Sequence, residues 1–424
     1  MSAPITGRAS RPPRAVVVLT GSELARGDKA DANGAFLARE LTALGLEPAR
    51  IVIVGDDPTE LEEAVREGLE AELCVLSGGL GPTHDDRTVE TLARVAGREL
   101  RVDGDLVRQI EEVSRAVAER LGRPYSDFAE GVRKQAALPD GAVALGLAGT
   151  APAVLLELDG CLAVALPGPP NELQRLWRQV LGSDGLQRLL ARVETPRRRV
   201  LRFFGPSESA VARVLKEAGG EGDGLEVTVC AHDLEIRVDM LERGGGRDRA
   251  ARLDNALRTE FARDLFAEDD RPIGEIVVER CRALGLRLAT AESCTGGLVG
   301  ARLTDVPGVS DVYAGGVIAY SNEVKERRLG VPASLLARHG AVSAEAAEAM
   351  AEGARAELGA EAAVAVTGIA GPDGGTPEKP VGLVYISVVA PGRAETERFV
   401  FSGDREAVRA RATAQCLHAL RRLL

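Results

Sequence analysis

Apolar residues along the chain come in short unbroken runs, separated by stretches in which they recur every three or four positions. Ala15-Val-Val-Val-Leu19, Ile51-Val-Ile-Val54 and Leu73-Cys-Val-Leu76 are runs expected of strands covered on both faces. Between them Leu37, Leu41 and Leu44 fall at i, i+4 and i+7, with Asp31 placed to cap that helix. Leu61, Ala64, Val65 and Leu69 mark the next helix. Regular alternation of strand and helix predicts a parallel sheet with crossover helices, with ligands at the strands' carboxyl ends.

The pattern changes near residue 178. Arg199 to Phe204, Leu225 to Val229 and Leu234 to Leu241 alternate like strands, and a helical stretch follows over Leu253 to Phe261. The glycine-rich charged stretches Gly219–Gly224 and Arg243–Arg249 read as surface loops. From Pro272 onward the α/β pattern returns. Strands are predicted over Leu286 to Ala291, Val317 to Tyr320, Ala362 to Val366, Leu383 to Val389 and Arg398 to Phe401. Ala347, Met350, Ala351, Ala354 and Leu358 share one helical face, and a last helix spans about Arg405 to Leu423. The expected fold class is α/β: two α/β/α sandwich domains, 14–177 and 272–424, joined by a small α+β module at 178–271. Residues 1–13 read as a loose tail without the apolar region of a signal peptide.

Composition narrows the function. A formal net charge of −11 and 3% aromatic residues argue against a nucleic-acid partner, which needs basic surface or stacking platforms. No apolar run is long enough to span a bilayer, so no membrane partner is expected. Six scattered cysteines without a C-x-x-C pair read as reduced thiols of a cytoplasmic protein.

Three polar, glycine-rich segments of the last block carry candidate chemistry. Glu292-Ser-Cys-Thr-Gly-Gly297 joins a strand to a helix, where hydroxyls and amides make an anion site; an ordinary capped helix start is the alternative. Gly308-Val-Ser310 leads to Tyr320-Ser-Asn-Glu-Val-Lys325, in which a lysine of lowered pKa can be the base that a serine nucleophile needs; a surface lysine and a turn serine are the alternative. Thr367 to Gly382 is a long Gly- and Pro-rich loop whose amides suit an oxyanion or a phosphate.

Together with Phe401-Ser-Gly-Asp-Arg405, these segments make the last block resemble the CinA C-terminal domain, the nicotinamide mononucleotide amidohydrolase family. The resemblance implies hydrolysis of nicotinamide mononucleotide to nicotinic acid mononucleotide and ammonia, with no cofactor. It places Ser310 at the nucleophile and Tyr320, Lys325 and Thr367 at its catalytic partners. Ser293, Thr295, Gly296, Gly297, Asn322, Gly368, Gly371 and Arg405 then bind substrate. Where the family often has two serines after the glycine, this chain has Val309 and Ser310, and Ser293 stands as the rival nucleophile.

In the first block, Gly78-Gly-Leu-Gly-Pro-Thr-His-Asp-Asp86 follows a strand directly, so backbone can approach phosphates and paired acids can hold a divalent metal; a tight βα turn with solvated acids is the alternative. With Gly21-Ser-Glu23, Asp31-Ala-Asn33, Lys134-Gln-Ala136 and Pro167 to Glu172, the block resembles the MoaB/MogA molybdopterin-binding fold at the front of CinA proteins. That likeness implies metal-dependent ADP-ribose pyrophosphatase activity. Its site would comprise Glu23, Asp31, Asn33, Gly79, Gly81, Thr83, Asp85, Asp86 and Lys134, with Asp85 and Asp86 on the metal. Ser22, Ala25-Arg26 and Arg133 depart from the family's motifs. Through Phe204-Gly-Pro-Ser-Glu-Ser209 the middle block resembles the KH-like module of CinA proteins; lacking a basic G-x-x-G loop, it reads as a spacer or dimerisation element. A homodimer is expected from the family. A non-enzymatic partner-binding protein of competence or DNA-damage responses, and an ADP-ribose pyrophosphatase alone, are the competing readings.

Overall fold

Successive residues of a strand face opposite sides of its sheet, so a strand apolar at every position needs cover on both. The computed structural model, which describes residues 11–424, supplies that cover. Its first strands are β1 (Arg14–Thr20), β2 (Glu47–Val54), β3 (Leu73–Ser77), a small pair β4 (Leu100–Val102) and β5 (Ala137–Pro139), then β6 (Val143–Ala148), β7 (Ala151–Leu158) and β8 (Cys161–Leu166). All but the small pair join one sheet in the order β2-β1-β3-β8-β7-β6. Val16 and Val18 enter one core, while Ala15, Val17 and Leu19 enter the other. β1, β2, β3 and β8 run parallel, but β6 and β7 return antiparallel, so the sheet is mixed rather than parallel. The turns after β6 and β7 are too short for the crossover that parallel pairing needs.

Two compact units divide the chain between Arg197 and Arg198. The boundary read after residue 177 falls inside the helix Pro170–Leu181, whose Leu173, Leu176, Trp177 and Val180 are buried in the first unit's core. Of the tail read over 1–13, residues 1–10 lie outside the described residues.

The second unit holds both the α+β module and the last α/β sheet. In the module, β9 (Arg197–Phe204), β10 (Leu225–His232), β11 (Glu235–Glu242) and β12 (Leu265–Ala267) are ordered β10-β11-β9-β12. The last sheet contains β13 (Leu288–Glu292), β14 (Tyr313–Ile318), β15 (Ala362–Gly368), β16 (Leu383–Ala390) and β17 (Arg393–Val400), ordered β14-β13-β15-β16-β17. Its first three strands are parallel, so the carboxyl ends of β13, β14 and β15 meet at one edge. β16 and β17 are antiparallel. β14 starts four residues before the predicted Val317, because Gly315 and Gly316 are strand and not turn. A side chain at Gly316 would collide with the Thr290 and Tyr313 hydroxyls, which bond each other at 2.8 Å.

Alanines set the spacing on one face of this sheet. Ala289, Ala291, Ala363 and Ala365 pack with Ala346, Met350, Ala351 and Ala354 of the helix Ala344–Glu357. At Gly353 of that helix an added Cβ would run into the carbonyl of Leu329, the last residue of the helix Asn322–Leu329. Gly353→Ala is therefore expected to cost about 1–3 kcal/mol despite alanine's better helix propensity, read as a lower thermal midpoint.

All six cysteines are free thiols, and Cys230 is the exposed one. Burial raises the others, Cys281 to about 11 and Cys161 and Cys294 to about 12. Among the described residues no helix is long and apolar enough to cross a membrane.

Candidate active site

The edge where β13, β14 and β15 end is built first of all by a carboxylate. Glu292, 2% exposed, closes β13 and turns its side chain onto the start of the helix Leu298–Thr304. It accepts from Thr295 Oγ1 at 2.8 Å and from the amides of Gly297, Val299 and Gly300 at 2.9, 3.1 and 2.8 Å. Helix-start amides favour an anion, and here the anion is the chain's own. The site predicted on these amides for a substrate's phosphate is therefore corrected: Glu292 occupies them.

Ser293 follows, buried and anchored by its amide on Val366 O at 2.9 Å. Facing it is Lys325. Ser321 accepts from the Val324 amide and caps the helix Asn322–Leu329, which sets Lys325 on the first turn pointing inward, 1% exposed. Its Nζ lies 3.2 Å from Ser293 Oγ, 2.7 Å from Ala319 O and 3.3 Å from Tyr320 O. No ion pair to Lys325 exists among the described residues, and burial, the larger cause, holds its pKa below the usual lysine range against the opposing effect of Cys294. A buried amine against a serine hydroxyl, with carbonyls as its other neighbours, is the arrangement of a base beside a nucleophile.

Two arginines of the last helix, Arg405–Leu423, frame this pair. Arg405 donates to Gly371 O at 2.8 Å and to the Tyr320 hydroxyl at 3.1 Å, joining the glycine-rich loop to the exposed Tyr320. Arg409, one turn on, donates to Cys294 O at 3.2 Å and Thr295 O at 2.9 Å, and so fixes the turn that carries Ser293. Sequence reading passed over Arg409; its i, i+4 spacing from Arg405 was the available signal. It also passed over Lys379, whose amine ties the loop to His339 O and Val342 O, each at 2.7 Å.

Several predicted members lie differently. Ser310 is exposed on the 3₁₀ turn Val309–Asp311, ahead of β14, whereas Lys325 comes after it. Six strand residues at ~3.3 Å each separate the two ends by roughly 20 Å, so Lys325 cannot deprotonate the Ser310 of its own chain. Arg282 instead holds the Ser310 turn, through Asp311 at 2.7 Å and Gly308 O at 2.9 Å. Thr367 is buried at the end of β15, but its hydroxyl donates to Ala341 O at 2.7 Å, so it does not orient the serine. Gly368 closes the ladder with β16, and the Ile369 amide donates to Leu383 O at 2.8 Å, which removes that amide from the predicted oxyanion hole. Gly296 and Gly297 take φ of 64° and 100°, turns that only glycine makes cheaply. Asn322 is exposed at the first position of the Lys325 helix.

In the first unit a cavity of ≈ 390 Å³ opens at the carboxyl ends of β1 and β3. Glu23, Gly79, Gly81, Asp85 and Asp86 line it as predicted, joined by two unforeseen carboxylates, Asp56 and Glu172. Burial raises the Glu172 pKa, whereas a hydrogen bond from Thr83 lowers that of Asp85. The remaining predicted members are not among its lining residues. Asp31 caps the amides of Asn33 and Gly34 at 2.9 and 3.0 Å. Asn33 donates to Ser77 Oγ at 3.0 Å and Gly168 O at 2.7 Å. The Thr83 amide donates to Asp86 at 2.9 Å, and Lys134 donates to Thr83 O. Among the described residues no group of three or more His, Cys, Asp or Glu stands close enough to hold a metal ion.

Comparison with known proteins matches residues 270–424 to the CinA C-terminal domain and 16–187 to the probable molybdopterin binding domain. A CinA-like protein of Mycolicibacterium gilvum (strain PYR-GCK) is 44% identical over 424 residues, covering 97% of this chain and 98% of the relative. A CinA-like protein of Mycobacterium tuberculosis (strain ATCC 25177 / H37Ra) is 40% identical, with 97% of each chain covered. Among solved structures, the competence damage-inducible protein A of Klebsiella pneumoniae subsp. pneumoniae MGH 78578 has 41% identity and a TM-score of 0.34, covering 36% of this chain and 96% of that one.

Proposed function

The chain belongs to the CinA family, and from that premise we propose that its last domain hydrolyses the carboxamide of nicotinamide mononucleotide, with Ser293 as nucleophile and Lys325 as base. The observation that carries this reading is the buried Lys325–Ser293 contact at 3.2 Å. In the free-base form the amine takes the Ser293 proton while Oγ attacks the carboxamide carbon. The tetrahedral intermediate collapses as the ammonium returns its proton to the departing nitrogen, releasing ammonia and leaving an acyl ester on Ser293. Water, deprotonated by the same amine, then cleaves the ester to nicotinic acid mononucleotide and free enzyme. Arg409 acts as a positioning residue through the carbonyls it holds, and Arg405 and Tyr320 stand at the mouth of the site.

Ammonia release from nicotinamide mononucleotide by the full chain, with chelator present, tests the reading. Ser293→Ala is expected to lower the rate by about 10³-fold or more, while Ser310→Ala keeps the wild-type rate. Loss in Ser310→Ala with retention in Ser293→Ala would reverse the assignment. No release from folded wild-type protein would overturn the activity and favour a partner-binding role.

A second reading concerns the first unit. Its acidic cavity, in which burial raises the pKa of Glu172, supports cleavage of ADP-ribose with cations brought by the substrate. Release of AMP that the chelator abolishes, and that Ser293→Ala leaves intact, separates it from the amidase.

A further inference from the structure

The glycine-rich loop beside the site is held by an amine that the proposed chemistry does not use. Its base is closed by backbone bonds: the Ile369 amide donates to Leu383 O and the Gly382 amide to Ile369 O, each at 2.8 Å. An added Cβ at Gly371 would stand 2.7 Å from Val381 Cγ1, and one at Gly375 would stand 2.8 Å from the Val381 nitrogen. The chain therefore folds on itself as a compact Ω-loop. Its tip, residues 372–378, is exposed throughout. Among the described residues, every hydrogen bond of that tip runs to Lys379. The Thr376 amide donates to Lys379 O at 2.8 Å, and Thr376 Oγ1 accepts from the Lys379 amide at 3.0 Å.

Lys379 in turn is anchored outside the loop. Its amine donates to His339 O and Val342 O, each at 2.7 Å, at the end of the helix Ala333–His339, where a cation suits the last carbonyls. Gly340 leaves that helix at φ 77° and ψ 165°, a conformation kept to glycine, and a Cβ there would come within 3.1 Å of the amine. All four carbonyls from 339 to 342 are taken by side chains, since Ser343 Oγ donates to Gly340 O at 3.0 Å and Thr367 Oγ1 to Ala341 O at 2.7 Å. Thr367 follows Val366, whose carbonyl accepts from the Ser293 amide. The segment is thus a fixed bridge from the strand end that holds the nucleophile to the loop, and Lys379 fastens the loop to it. The start of the loop meets the mouth of the site, because Arg405 joins Gly371 O to the Tyr320 hydroxyl.

We propose that Lys379 is a positioning residue of the amidase site, a latch that holds the Ω-loop as a fixed wall at the mouth where nicotinamide mononucleotide enters. Its substrate rests on the amidase reading, whereas the latch is a property of the loop itself. The reacting pair does not depend on it: Ser293 is held by Val366 O, and Lys325 by Ala319 O and Tyr320 O. Loosening the loop therefore costs substrate capture and spares the chemical step.

Steady-state kinetics of the full chain and of Lys379→Met, which keeps the bulk of the side chain but donates nothing, test the latch. The variant is expected to raise KM for nicotinamide mononucleotide about tenfold or more, while kcat stays within about threefold of the wild type. Hydrogen exchange over residues 373–379 of the same proteins, without substrate, is expected to be faster in the variant. Should Lys379→Met melt early, Thr376→Val, which unfastens the exposed tip from Lys379, is read in its place and should raise KM about threefold or more. Wild-type KM in the variant that is read, or a fall in kcat at unchanged KM, overturns the positioning role. A folded wild type that releases no ammonia fails the amidase reading instead. Exchange then decides the latch, and loop protection equal to wild type overturns it.

Discussion

Lys325→Met is expected to reduce ammonia release by about 10²–10⁴-fold, the usual contribution of a positioned acid–base group, while leaving the protein at least as stable. The amine has three polar neighbours: two carbonyls, Ala319 O and Tyr320 O, and one hydroxyl, Ser293 Oγ. A neutral amine donates its two hydrogens to the carbonyls and turns its lone pair to the serine. An ammonium gives all three protons away and leaves no base. Methionine fills the space of the chain, removes a buried charge that lacks a counter-ion, and takes no proton. Loss of activity without loss of thermal midpoint would separate catalysis from folding.

The pH dependence has a definite sign. The folded pKa of Lys325 lies below its unfolded value, so the catalytically competent free base grows as pH rises. kcat/KM is expected to climb with pH through an inflection below the ~10.4 of an ordinary lysine. Stability follows the same direction. Between the folded and unfolded pKa values the unfolded chain binds more protons, so stability rises with pH there, and Lys325→Met should lose that rise. A flat rate profile in the wild type would contradict the base assignment.

Glu292→Ala is expected to give the largest loss of stability, about 3–5 kcal/mol, because it strands three buried donors and the half-buried Gly297 amide at once. Glu292→Gln should cost less, but not little. Its carbonyl can replace the oxygen that serves Thr295, Gly297 and Val299, yet its NH₂ then faces the Gly300 amide. Hydrogen exchange at the amides of Gly297, Val299 and Gly300 reads the effect locally. Unchanged protection in Glu292→Ala would show that the carboxylate does not hold the turn.

Much of this architecture was legible because buried parallel strands are apolar at every position and their helices are not. Lys325 was legible too, since a lysine just inside a capped helix after a strand points back to the strand end. Ser310 misled because distance along the chain says nothing of direction in space. Fifteen residues separate it from Lys325, but β14 runs between them and carries the two to opposite ends of the sheet. Ser293 and Lys325 are more than twice as far apart in sequence, yet both follow carboxyl ends of adjacent parallel strands. The glycines at 315 and 316 hid the start of β14, because their close approach to the Thr290 and Tyr313 hydroxyls depends on tertiary packing. Glu292 was the subtlest: an acidic residue five positions before a Gly-led helix start predicts a self-satisfied terminus rather than a vacant one.

The distribution of thiols has a practical consequence. Five of the six cysteines are buried, and where burial raises a thiol's pKa it also withdraws the thiolate that alkylating reagents attack. A maleimide dye should therefore enter the native protein at Cys230 alone, without any engineering of the sequence. Cys230 lies on β10, so the wild-type chain carries its own attachment point for a fluorophore on the α+β module.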